Sequence, residues 1–86
     1  MAQASARRKR QRRRALMRAA ELGHGEFIVV LLRQGHADPD WADPDTGITP
    51  LILAAQHGHE DTVASLILSR ADVAKPDRWG FTPLHY

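Results

Sequence analysis

Three observations predict an all-α fold of stacked helix–turn–helix units. The stretch Thr49–His59 reads as a short helix with both of its ends encoded. Its signatures recur along the chain: Thr82-Pro83-Leu84 repeats Thr49-Pro50-Leu51 thirty-three positions later, and Gly80 repeats Gly47 at the same offset. Upstream, Ala19-Ala20-Glu21-Leu22-Gly23-His24 matches Ala54-Ala55-Gln56-His57-Gly58-His59 thirty-five positions earlier. Each alanine-rich segment is then followed by a second apolar one, so the repeating unit is a helix hairpin.

Taken in order, Met1–Ala6 is small, polar and without periodicity, and disorder is expected there. Seven cations follow in eight positions, Arg7, Arg8, Lys9, Arg10, Arg12, Arg13 and Arg14. At a helix N-terminus they would oppose the macrodipole and repel one another at i, i+4 spacing. Residues 1–12 are therefore predicted to be a disordered basic arm, and 13–86 the folded domain. Helix 1 is expected from about Arg13 to Leu22, burying Leu16, Ala19 and Ala20. Gly23-His24-Gly25 turns the chain into helix 2, about Glu26–Gln34. Its Phe27, Ile28, Val30, Leu31 and Leu32 are apolar almost all round, as in a helix packed between neighbours; Val29 suggests an outer surface that is itself covered.

Asp38–Ile48 carries Pro39, Pro44, Gly47 and four aspartates, and reads as a turn-rich connection. Helix 3 is expected at about Pro50–His57, with the Thr49 hydroxyl as its cap, Pro50 at the first helical position and Gly58 as its stop. Helix 4 follows at about Glu60–Ser69. Arg70 stands where a helix-ending glycine is usual, which weakens that cap. Lys75–Phe81 forms the next connection, and Thr82–Tyr86 begins another helix.

A period near 33 residues with T-P-L-H and G-H at fixed places resembles the ankyrin repeat. The resemblance covers about Arg13 to Tyr86, with units at 13–44 and 45–77 and a partial third at 78–86. It implies an ankyrin solenoid of helix pairs joined by β-turn fingers, truncated after the start of the third repeat. At least three stacked repeats are usually needed for stability. Either a longer array of which this chain is a truncated portion, or a partner on the far edge, is thus expected, since Val63, Leu66 and Ile67 would be left partly uncovered. In the family, histidines at the places of His24 and His59 bond to backbone between units. His85 should also be structural, whereas Ile52 forfeits the corresponding bond.

Composition narrows the function. The chain has 86 residues and no cysteine, so no disulfide or cysteine–zinc staple is available. Its longest apolar run, Phe27–Leu32, is far too short for a membrane span, and no apolar h-region follows the basic segment. The net charge of +2 divides sharply: residues 1–18 carry +8 and residues 19–86 carry −6. An intracellular protein, cytoplasmic or nuclear, is expected. Catalytic motifs fail on inspection. His59-Glu60 lacks the second histidine of H-E-x-x-H because Val63 takes its place, Gly23-His24-Gly25 lacks a preceding strand, and Asp43, Asp45 and Gly47 lack calcium-loop spacing. The expectation is a non-enzyme with no metal, cofactor or small-molecule substrate.

The resemblance implies a protein-interaction module, because the stacked units leave a concave surface of fingers and inner helices. Mapped by motif position, the contacting residues are Glu21 and Leu22 in the first unit. The second supplies Asp45, Thr46, Ile48, Gln56 and His57, and the third Arg78, Trp79 and Phe81. Trp41, in the nearby loop, is grouped with them. The alternative assigns the function to the arginine-rich arm, binding nucleic acid or a nuclear import receptor, with the repeats as an accessory domain.

Overall fold

The structure, a computed structural model, describes residues 2–86, with side-chain surroundings from residue 4 onward. It contains α1 (Ala2–Leu22), α2 (Gly25–Arg33), α3 (Pro50–Gln56), α4 (Glu60–Leu68) and a 3-10 turn over Pro83–His85, with no strand among the described residues. α1 packs on α2 and α3 on α4 as two hairpins, which stack through the α1–α3 and α2–α4 pairs. The 3-10 turn lies against α3 and opens the third unit.

The core is one cluster shared by both hairpins: Leu16, Ala19, Ala20, Ile28, Leu31, Leu51, Ala54, Leu66 and Ala71. Alanine at 19, 20 and 54 lets α1 and α3 approach closely, while Leu16 and Leu51 fill the layer between them. α3 begins as expected: Thr49 is extended, its hydroxyl accepts the Ile52 N–H at 3.2 Å, and Pro50 sits at the first helical position. Both outer helices end in the same motif. After α2 the Gly35 N–H donates to Leu32 O at 3.0 Å and the His36 N–H to Leu31 O at 3.3 Å. After α4 the Arg70 N–H donates to Ile67 O and the Ala71 N–H to Leu66 O, both at 3.0 Å. Arg70 adopts φ 71° to do so, so the cap forms despite the missing glycine, at the cost of a left-handed arginine.

Three expectations are corrected. Helix 1 begins at Ala2, not at about Arg13, and the basic run is helical throughout; Met1 lies outside the described residues. Arg, Lys, Gln and Ala are all good helix formers, and no Gly, Pro or β-branched residue interrupts 2–22. Their propensity accumulates along the segment and outweighs repulsions of a few tenths of a kcal/mol per pair.

Helix 2 is not packed on all sides. Ile28 and Leu31 are buried, but Phe27 and Val30 remain about half exposed. At the offset of thirty-five, Phe27 and Val30 correspond to Thr62 and Ser65, which face the start of α2 around Gly25. Thr62 is buried there, whereas among the described residues no element covers the same face of α2. Val29, half-buried, lines a groove with Leu32, Ser65 and Leu68. On the opposite edge Ile67 is exposed and Val63 half-buried, as expected, but Leu66 is fully buried, and Leu68 and Leu84 are uncovered as well.

Candidate functional site

Two turns form paired fingers on one side of the stack. In the first, the Asp43 N–H donates to Ile48 O at 3.0 Å and the Gly47 N–H to Asp43 O at 2.7 Å. The Asp43 carboxylate accepts the N–H groups of Asp45 and Thr46 at 2.8 and 3.3 Å, which holds the tip closed. The second finger repeats the scheme around Asp77, whose backbone N–H donates to Phe81 O at 2.8 Å. Its carboxylate accepts the N–H groups of Trp79 and Phe81, both at 2.9 Å, and the Tyr86 hydroxyl at 2.7 Å. The Asp43 and Asp77 carboxylates thus serve the chain's own backbone.

Burial pushes the Asp77 carboxyl up, but the Tyr86 hydroxyl and the surrounding backbone donors outweigh it and hold the group below its ordinary value. In turn the hydrogen bond to Asp77, reinforced by burial, raises the Tyr86 phenol.

The fingers are tied together. The Arg78 N–H donates to Thr46 O at 2.9 Å, and its Nη1 donates to Asp45 O at 2.9 Å. Arg78 also lays its guanidinium over the Trp79 ring, 5.3 Å from the centroid. Phe81 packs edge-on against His85 and Tyr86, with centroids 5.7 and 6.0 Å away. Gln56 lies beside the Tyr86 hydroxyl at the end of α3. Asp45, Thr46, Arg78, Trp79, Phe81 and Gln56 therefore share one continuous surface, with Trp79 59 % exposed and Phe81 48 %. Ile48 is half-buried at the base of the first finger.

Glu21, Leu22 and His57 mark the ends of the inner helices. His59 Nε2–H donates to Glu21 O at 2.7 Å, which ties the two units as the histidine position implied. His57 stacks parallel to His59 with centroids 6.3 Å apart, and Leu22 is exposed. His24 makes no such bond among the described residues. His85 is structural: its Nδ1 accepts the Thr82 N–H at 2.8 Å and closes a capping box. One surface residue escaped the sequence reading. Tyr86, 48 % exposed, adds a third aromatic ring beside Phe81; it corresponds to Leu53 at the thirty-three-residue offset, a register that points to the inner helix face.

Trp41 does not join the finger tips. Its ring lies beneath the Arg13 guanidinium, 5.4 Å from the centroid, at the side of α1. Between α1 and this loop runs an open groove of about 530 Å³, lined by Arg7, Arg10, Gln11, Arg13, Arg14, Met17, Trp41 and Asp43. Lys9 and Arg12 line a second groove of about 410 Å³ on the other side of Arg13, with residues 35–38 and again Trp41. Arg8 is exposed on the same helix. Among the described residues the one ion pair is Arg18 Nη1 with Glu21 Oε2 at 3.9 Å, so none of the seven cations of the run has a carboxylate partner there. No group of three or more metal-ligating side chains is gathered among the described residues, and no helix is long and apolar enough to cross a membrane.

Comparison with known proteins agrees with this geometry. The family model for ankyrin repeats in three copies matches residues 16–86. A palmitoyltransferase, AKR1, of Candida glabrata is 47 % identical over 60 residues, which is 70 % of this chain and 8 % of that protein. Human SH3 and multiple ankyrin repeat domains protein 1 is 39 % identical over 66 residues, covering 76 % of this chain and 3 % of its own length. Mouse ankyrin repeat and SAM domain-containing protein 6 is 42 % identical over 67 residues, covering 78 % and 8 % respectively. The chain therefore spans less than a tenth of each of these relatives.

Proposed function

Because this chain belongs to the ankyrin-repeat family, we propose that it binds a protein partner through its second finger and the adjoining end of α3, with Trp79 as the anchor. Ankyrin repeats mediate protein–protein interaction, and they do so without a catalytic site of their own. The observation that carries the assignment to this surface is the exposure of Trp79, Phe81 and Tyr86 together on a turn braced by Asp77. Exposed aromatic side chains held on a braced turn are the residues on which binding energy concentrates once a partner buries them. Phe81 also packs on His85 and Tyr86, so it steadies the turn as well as presenting a ring. The Trp79 ring rests only against Arg78 among the aromatic and cationic groups described, which leaves it the freer anchor.

The test compares proteins retained by the full chain with those retained by a Trp79→Ala, Phe81→Ala variant. Each protein that discriminates is then titrated by calorimetry. A loss of about 2 kcal/mol or more is expected for a buried anchor, with helical content unchanged. Equal affinity for both forms would refute the assignment. The transferase named among the relatives is matched over 8 % of its length, and its activity is not part of this proposal.

A second reading concerns α1. Seven cations without carboxylate partners among the described residues favour a polyanion as its ligand, nucleic acid before an import receptor.

A further inference from the structure

We propose that the groove between α1 and the Trp41 loop is a single-stranded nucleic-acid site, in which Trp41 stacks a base and the α1 arginines hold the adjacent phosphates. The inference rests on the polyanion reading of α1 and gives it a location.

The helix supplies the first argument. Arg7, Arg10 and Arg14 recur at spacings of three and four, which places them along one face, and all three line the groove of about 530 Å³ with Arg13. Their mutual repulsion is built into the folded helix, with no carboxylate within ion-pair distance among the described residues to relieve it. A phosphate chain supplies the missing counter-charge along the same line, and release of its own counterions adds a driving force.

Trp41 supplies the second. It is half-buried and carries the Arg13 guanidinium 5.4 Å from its ring centroid. The Arg13–Trp41 pair forms the wall between the two grooves, and Trp41 lines both. An aromatic ring reached from two sides and flanked by guanidinium groups matches the combination that binds single strands, a stacking platform beside a cationic track. A duplex offers phosphates but keeps its base faces stacked away from such a ring. A membrane is disfavoured because Arg7–Arg14 contains no apolar residue to insert.

Two carboxylates face the ligand. Asp43 lines the first groove and Asp38 the second. Each already accepts backbone N–H groups: Asp43 Oδ1 those of Asp45 and Thr46, Asp38 Oδ1 that of Asp40. Their charge weakens phosphate binding without cancelling it, since four arginines face Asp43. Asp43→Asn keeps the accepting oxygen and should tighten binding.

The experiment uses the full chain with Trp79→Phe, so that Trp41 is the one tryptophan. A labelled oligouridylate of about twelve nucleotides is titrated while Trp41 emission is followed. Quenching is expected on binding. Trp41→Leu should weaken affinity roughly 5- to 150-fold, the span of base–aromatic stacking, and Trp41→Phe should restore most of it. Four groove arginines predict a slope of log K against log salt of about −3, falling to about −1.4 when Arg10 and Arg14 are changed to glutamine. Circular dichroism confirms that each variant stays folded. Binding that ignores Trp41, or a duplex, polyglutamate or anionic vesicle competing as well as the oligouridylate, overturns the site and leaves only the polyanion reading. No binding at low salt overturns both.

Discussion

Replacing Gly47 by alanine tests whether the fingers are braced through their backbones. Gly47 has φ 72°, and a Cβ on it would stand 2.8 Å from Arg78 N and 3.1 and 3.2 Å from the Asp77 C and Cα atoms. Backbone does not swing aside as a side chain does, so the second finger must retreat. Retreat stretches the 2.9 Å bond from the Arg78 N–H to Thr46 O and draws the Arg78 side chain off Asp45 O. A left-handed conformation costs an L-residue about 1–2 kcal/mol, of which the stiffer unfolded chain of alanine returns about 0.5. Losing one or both interfinger bonds adds about 1–2 kcal/mol, for a total of about 2–3 kcal/mol. Gly58→Ala isolates the conformational part, because Gly58 has φ 71° with nothing within 4 Å of the added carbon, and should cost only about 1 kcal/mol. Urea unfolding followed by circular dichroism gives both values, and the exposed Trp79 reports on the second finger by fluorescence. Equal destabilisation by the two substitutions, with Trp79 emission unmoved by either, would refute the argument.

Arg70→Gly relieves the left-handed arginine at the end of α4 and should stabilise the chain by about 1 kcal/mol in the same assay. His59→Ala removes the bond to Glu21 O that ties the two units and leaves that carbonyl without its partner, a loss of about 1–2 kcal/mol that also shows as a lower midpoint on heating. The folded Asp77 carboxyl sits below its ordinary value, so the folded chain binds fewer protons than the unfolded one as pH falls. Its contribution is full above about pH 4, near the unfolded carboxylate pKa, and is lost on acidification through the folded value. The stability difference between the unaltered chain and Asp77→Asn should therefore shrink from pH 7 towards pH 3, and Tyr86→Phe should move that loss to higher pH.

Much of the fold could be read from local chemistry because each unit repeats the same instructions. Thr49-Pro50, Gly58 and the alanine pairs specify start, stop and close approach within a few residues of one another, and α3 and α4 lie within a residue of their expected ends. The repeat offset likewise carries the register of the fingers: Asp45 and Arg78, thirty-three positions apart, meet across them, since register in a stacked array follows from position in the unit.

Other features depended on what each residue meets across the stack. Helix content in the basic run turned on a sum of small opposing terms over the whole segment, which charge alone misjudges. The exposure of Phe27 and Val30 was decided by the absence of a covering element among the described residues, information that lies outside helix 2 itself. Trp41 and Arg13 stand far apart in the chain, and only the packing of α1 against the loop brings cation and ring together. Sequence determined the repeating unit because its causes are local; tertiary structure decided which surfaces stay open because burial belongs to pairs of elements, not to either one.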